Sequence, residues 1–468
     1  MEALRAFLDA VGPHALYIDD RSMSGSVKAK RKSVITLLYL ILFLAVSLNY
    51  ILYVNPSSAY MGFNIDIDVI RIIFSVCIIV VFSSLTPVDD SVRAFFLNII
   101  LTIQLVPSLV LYSLAGKPTD LAFVIWVAIA IVYAVSALPM PRGRLMRINP
   151  RHLLWMLLVT TGGLIAALSF LGGFGNFNLD IRQVYEFRSA AAEALPGIFA
   201  YLMPIFSKIV IPFGLTLSIY YRKYTYFFVF MAASIILFGV SNHRGIIIYP
   251  IMTIFIFYAL NLSNQYSSVL ILLISALVVA MIDSVLFFSL GQESIWGWYV
   301  DLFVRRGLMI PALLDYHHIE FFSENPKYFW ASSRLSFGMV QNPYGIQSPN
   351  VIGEAYFNNV ENAAGTGFIG SGFAQAGMVG VVLYSVGVGI VIAILQAFGR
   401  YLGLPLVAAV MIVQIATMLT ATDFVTMFLT HGLFASFILL AIIRAPKERR
   451  AAGRREAYRA PMAVPQKG

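Results

Sequence analysis

The amino-acid sequence predicts an all-α polytopic membrane protein with about 12 transmembrane helices. Three observations carry that prediction. Of 468 residues, 59% are hydrophobic and only 12% are charged, and the mean hydropathy is +0.82. The apolar residues fall in runs of about 20, the length that crosses a bilayer core. The basic residues concentrate in alternate connections, as the positive-inside rule requires. A water-soluble domain, with about 25% charged residues, is excluded, and so is a disordered chain.

The first run begins after Lys28, Lys30, Arg31 and Lys32. It lies too far from the N-terminus for a cleaved signal peptide and reads as a retained helix with its basic end in the cytoplasm. The hydropathy places spans at 34–54, 69–86, 95–115, 120–140, 153–173, 197–219, 225–241, 245–261, 268–290, 375–396, 404–422 and 424–443. This divides the chain into a cytoplasmic tail (1–33), a membrane domain (34–443) and a basic cytoplasmic tail (444–468). With the N-terminus inside, 22 of the 32 Lys and Arg residues fall on the inner side. The formal charge of +9 is then mostly topology and attraction to an anionic leaflet, so no nucleic-acid partner is expected. Two outer loops stand out, 172–196 and 291–374, the second far longer than a connection requires. No internal repeat is evident. The single cysteine, Cys77, permits no intramolecular disulfide and reads as a small buried hydrophobe.

The outer connections keep six arginines, Arg182, Arg188, Arg244, Arg305, Arg306 and Arg334, beside two lysines, Lys117 and Lys327. A guanidinium presents paired donors that match a phosphate or carboxylate. The bland alternative is ion pairing with the acids of the long loop, Glu293, Asp301, Asp315, Glu320, Glu324, Glu354 and Glu361. The stretch from Arg182 to Arg188 reads as helix, with Arg182, Tyr185 and Glu186 on one face. Residues 299–307 also read as helix; Asp301 pairs with Arg305 at i, i+4 and leaves Arg306 the freer. His317 and His318 titrate near neutrality, but adjacent histidines on a helix point to different faces, and no complete metal site emerges. Arg244, between two closely spaced spans, lies at the outer boundary. Lys208 falls within a span, where a charge needs a partner or a wet cavity, and Asp283 is the candidate partner. Two motifs are set aside. Gly365-Thr-Gly367-Phe-Ile-Gly370 fits a dinucleotide pattern by letters, but no βαβ unit surrounds it, so its glycines read as a turn and a close packing surface. Asp66-Ile-Asp68 reads as a hydrated loop entering a span, with a catalytic or metal-binding role as the alternative.

The combination resembles the O-antigen polymerase (Wzy-type) family. The matching pieces are the Arg182/Arg188 loop, the Arg305-Arg306 pair followed by Pro311 and Tyr316, and Gly367-Phe-Ile-Gly370 entering a late span. Arg334 and Gly345 match an Arg, ten residues, Gly spacing; Arg182 and Gly197 depart from it. The resemblance implies a GT-C-like glycosyltransferase of the bacterial inner membrane with two functional periplasmic loops. Such an enzyme joins undecaprenyl-pyrophosphate-linked oligosaccharide repeat units without metal or cofactor. Arg182, Arg188, Arg244, Arg305, Arg306, Arg334 and Lys208 would then bind the pyrophosphate. Tyr185, Tyr316 and Trp330 would stack on sugars, with packing as the alternative. Glu354 is the first candidate for the base, followed by His317 and His318. The implied partners are donor and acceptor lipid-linked glycans, membrane lipid and a chain-length regulator. A ligase-type relative or a polysaccharide flippase are the competing readings.

Overall fold

The computed structural model describes residues 25–141, 148–175, 177–179, 197–241, 245–263, 266–291, 295–331, 333, 336 and 338–444. Among the described residues the chain is helical throughout, and its one extended pairing is an isolated bridge between Asp66 and Ala115. In chain order the helices are α1 (Gly25–Met61), α2 (Val69–Leu85), α3 (Val92–Leu114), α4 (Thr119–Val135), α5 (Pro150–Phe170), α6 (Tyr201–Tyr220) and α7 (Tyr224–Ser241). They continue as α8 (Gly245–Leu262), α9 (Tyr266–Leu290), α10 (298–324), α11 (Ser348–Phe357), α12 (Phe368–Leu402), α13 (Leu404–Thr420) and α14 (Phe424–Ile442). Nine of them are long and apolar enough to cross a bilayer, while α2, α4 and α13 are apolar but shorter. The chain is a multi-pass membrane protein. Each hydropathy run coincides with one of these helices, although α1 begins at Gly25, so Lys28–Lys32 ride on its first turns rather than in a tail.

Local chemistry sets many of the ends. Asp68 caps α2 by accepting from the amides of Ile70 (2.8 Å) and Arg71 (3.3 Å). Ser91 caps α3, Asn149 caps α5 and Asp423 caps α14 in the same way. The first Asp of Asp66-Ile-Asp68 pairs its backbone with Leu114 (2.7 Å), so that pair is accounted for by a cap and a turn. Cys77 is exposed on α2, on a face turned away from the bundle, contrary to the buried position expected from its apolar neighbours.

The bundle is organised around α3, which is 94% buried, against 28% for α14 at the rim. Its polar residues bind inward. Asn98 accepts from the Tyr39 hydroxyl at 2.8 Å, Thr102 shares a bond with Tyr266 at 2.8 Å, and Gln104 donates to the Leu419 carbonyl. Interhelical bonds of this kind hold packed helices where no hydrophobic difference between protein and lipid drives association.

Four segments open into wide π-type turns, at Tyr50–Val54, Leu101–Leu105, Phe206–Val210 and Asp301–Met309. Each is followed two residues later by a proline: Pro56, Pro107, Pro212 and Pro311. A proline cannot donate to the carbonyl four residues back, and its ring clashes with it; widening the preceding turn relieves both problems. At Pro212 the released carbonyl is that of Lys208, and Gln414 Nε2 donates to it at 2.9 Å.

α12 folds back on itself at Ala376–Gly377, where Gly377 takes φ +58. A Cβ on Gly380 would overlap the Gly372 carbonyl, so only glycines let the two arms approach. The amides of Tyr328 and Phe329 donate to the carbonyls of Ala374 (3.0 Å) and Gln375 (2.7 Å), which pins the bend.

Connections alternate between the two ends of the bundle. At one end Lys32 reaches the Ser84 carbonyl, Tyr221 the Arg444 carbonyl and Ile148 the Ile442 carbonyl. At the other end residues 55–68, 115–119 and the described parts of 295–367 meet.

Candidate functional site

The wide turn at 301–309 builds the first part of the site. In an α-helix, positions i+4 and i+5 point in different directions, but a π-turn brings both beside residue i. Arg305 Nε therefore donates to Asp301 Oδ1, and Arg306 Nε donates to Asp301 Oδ2 at 2.9 Å. Asp301 therefore engages Arg306 as well as Arg305, the partner expected from the i, i+4 spacing. Burial works against the Arg305 charge, but the Asp301 hydrogen bond and charge outweigh it and hold the guanidinium above its ordinary value. Arg305 Nη1 also donates to Ser58 Oγ at 3.1 Å. The Arg306 side chain is 41% exposed and the Arg305 side chain 13%.

The same helix carries the second part three turns on. His317 is buried, and its ring stacks on Tyr356 of α11 with centroids 3.9 Å apart and planes 26° apart. Its Nδ1 lies 3.7 Å from Glu320 Oε2, to which the Tyr356 hydroxyl donates at 3.0 Å. Neither ring nitrogen has a hydrogen bond within 3.5 Å among the described residues, but the Glu320 carboxylate and the Met61 backbone lie close enough to act on the ring. Burial lowers its pKa, the nearby Lys117 charge adds to this, and Glu320 opposes it, so the ring is neutral at pH 7. Glu320 is held below its ordinary value by His317, Tyr356 and Lys117, and stays ionised. Burial in turn lowers Lys117.

The two parts share a floor. Residues 58–62 carry the Ser58 hydroxyl and Met61 sulfur that meet Arg305, and Gly62, whose α-carbon faces the His317 ring. Gly62 sits at φ +92, which a side chain would strain. The site thus joins the first connection, the Lys117 turn and helices α10 and α11.

Other candidates fall elsewhere. His318 points the opposite way from His317, fully buried, with Nδ1 bonded to the Leu314 carbonyl at 2.8 Å. Burial pushes it down to about 4, and it packs against Gly370. Beside it, Asp315 Oδ1 accepts from Thr366 Oγ1 (2.6 Å) and the Gly370 amide (3.0 Å) at the start of α12. Its burial raises it to about 6 against those two bonds. The glycines of 365–370 are explained by this contact and by Gly367, where a Cβ would overlap the Leu419 carbonyl. Tyr316 is buried and donates to the Ser108 carbonyl at 3.1 Å, so it packs the core rather than facing a substrate. Trp330 commits its indole N–H to the Tyr384 hydroxyl at 2.9 Å. Glu354 is exposed on α11, two positions before Tyr356.

Lys208 does not meet Asp283. Asp283 accepts from the amides of Gly297 (3.0 Å) and Val300 (2.9 Å), capping the start of α10. Lys208 Nζ lies 3.4 Å from His431 Nδ1, beside the break in α14 at Thr430–Gly432. Arg182, Tyr185, Arg188, Arg244 and Arg334 lie outside the described residues, as does most of the loop 172–196. The described residues contain no group of three His, Cys, Asp or Glu placed to hold a metal. Sequence reasoning missed Glu320, Tyr356, Lys117 and Ser58 as companions of His317 and Arg305. Pro311 was the available signal for the wide turn, since it requires the residues before it to open. Comparison of the chain with known protein families, with curated proteins and with solved structures gives no match.

Proposed function

We propose that this protein is a glycosyltransferase that polymerises lipid-linked oligosaccharide repeat units, acting at the periplasmic face of a bacterial inner membrane through a bundle of twelve GT-C-like spans. The observation that carries the reading is the convergence on the 58–62 turn of an arginine pair engaged by Asp301 and a buried neutral imidazole beside Glu320. In the reaction, an acceptor hydroxyl attacks the anomeric carbon of the donor glycan and a glycosidic bond forms. The bond from that carbon to the pyrophosphate oxygen breaks, and undecaprenyl pyrophosphate leaves with the electron pair. Arg305 and Arg306 stabilise the charge gathering on the leaving group; their alignment by Asp301 means little reorganisation is needed as the bond breaks. His317, oriented by Glu320, takes the acceptor proton; a depressed pKa keeps it in the base form at neutral pH. Exposed aromatic rings at the same end, Tyr60 and Phe329, suit the faces of sugars.

The test replaces Arg305 and Arg306 with lysine, singly and together, and His317 with asparagine. Retained charge with loss of the fork should cost about 1.5–3 kcal/mol, or roughly 10- to 100-fold in transfer. The expected phenotype is surface glycan truncated to single repeats, with accumulation of lipid-linked single units on the outer side. Full-length polymer from all variants would remove the assignment. A flippase is the second reading, favoured by the buried Lys208–His431 pair beside the broken helix α14. It requires lipid-linked units to accumulate on the cytoplasmic side in R305K and R306K.

A further inference from the structure

At the opposite end of the bundle from the arginine pair, a cavity of about 430 Å³ opens between the ends of five apolar helices. Lys28 and Lys32 of α1, Arg93 of α3 and Arg400 of α12 line it, with Asp89 the single carboxylate. The lining therefore carries a formal charge of +3. Lys28 and Lys32 are four apart on one helix face, so both side chains reach the same cavity. Neutral oxygens hold two of the cations in place. Lys32 Nζ donates to the Ser84 carbonyl at 2.8 Å. Arg93 Nε donates to Ser136 Oγ at 3.2 Å and its Nη2 to the Tyr133 carbonyl at 3.4 Å, while its backbone amide donates to Gln396 Oε1 at 2.9 Å. These are neutral oxygens, which orient the guanidinium, and Asp89 is the carboxylate that acts on it. Arg400 is exposed and makes no hydrogen bond or ion pair among the described residues.

The location specifies the ligand class. The lining residues are the end turns of apolar helices and the connections 86–91 and 136–138 between them, so the cavity sits where a bilayer places its phosphates. Exposed Leu85 and Leu138 form an apolar lip at its opening. We propose that this cavity binds the headgroup phosphate of an anionic phospholipid, with the acyl chains lying outward past Leu85 and Leu138. Basic pockets between spans are suited to such headgroups because counter-charge and a lipid boundary coincide there. The site is separate from the arginine pair and does not depend on the glycosyltransferase reading.

The experiment uses the full-length protein in nanodiscs of phosphatidylcholine alone or with phosphatidylglycerol or cardiolipin. Thermal unfolding is followed for the unaltered protein, for K32Q/R400Q and for K327Q, a cation removed at the other end. The expected result is a rise in Tm of about 3 °C or more with anionic lipid. That rise should disappear in K32Q/R400Q and persist in K327Q. Equal Tm in all lipids, or an equal rise in K32Q/R400Q, would overturn the proposal. A matching rise in phosphatidylcholine discs on adding millimolar inorganic phosphate would overturn it too, by assigning the cavity to free phosphate.

Discussion

Asp301, Asp315 and His318 show how one residue's chemistry depends on what packing offers it. Asp301 bridges two arginines and is catalytic scaffolding in the reading advanced above. Asp315 and His318, three positions apart on the same helix, are buried, and the same desolvation pushes each pKa toward its neutral form, Asp315 up to about 6 and His318 down to about 4. Their contributions to stability oppose each other. Asp315 has a folded pKa of about 6, above its unfolded value of 3.8, so its contribution is complete below 3.8 and is lost as pH rises to 6. His318 has a folded pKa of about 4, below its unfolded 6.5, so its contribution is complete above 6.5 and is lost as pH falls to 4. Each is worth roughly 3 kcal/mol at most. The unaltered protein should show little net pH dependence from the pair. D315N should gain stability as pH rises from 4 to 6.5, and H318F should lose stability over 4 to 6. Melting curves of purified protein across that range check both slopes; parallel slopes in the two variants would contradict the assignment.

At the scale of elements, the decisive feature is the pairing of a wide turn with a proline. The amphipathic spacing of 299–307 was legible as helix, and the Asp301–Arg305 contact followed from it. The engagement of Arg306 did not, because it depends on a turn of different pitch. P311A removes the reason for that turn. The segment is then free to close into α-helix, which swings Arg306 away from Asp301. Transfer should fall about tenfold while folding yield and melting temperature hold, since a misdirected donor costs orientation rather than packing. Polymer length on gels, read beside the Tm of the same preparation, separates the two effects. The glycine-rich 365–370 segment was read correctly as a turn and packing surface, because the surrounding sequence lacked strands. Its partner Asp315 lay fifty residues upstream and carried no local mark.

For the whole molecule, the alternation of connections predicts two chemically distinct faces. Cys77 is the single cysteine, so a C77S background makes each introduced thiol unique. Cysteine at Val360 should react with a membrane-impermeant maleimide in cells whose outer membrane has been permeabilised. Cysteine at Arg222 should react only after the inner membrane is broken. The reverse order would invert the topology and move the arginine pair into the cytoplasm.

The sequence alone determined that this is a helical membrane protein and where its helices run. Hydropathy is a local property, and a run of about 20 apolar residues has few other stable states in or out of a bilayer. It also marked the basic end of the bundle and the 299–320 stretch that holds Asp301, the arginine pair and His317. Tertiary structure decided which side chains share a site. Ser58 meets Arg305 across 247 positions and Lys208 meets His431 across 223. Contacts at such separation arise from how helices pack against one another, which no window of neighbouring residues encodes. That is why Lys208 was assigned the wrong partner, and why His317 and His318, alike as letters, have opposite surroundings.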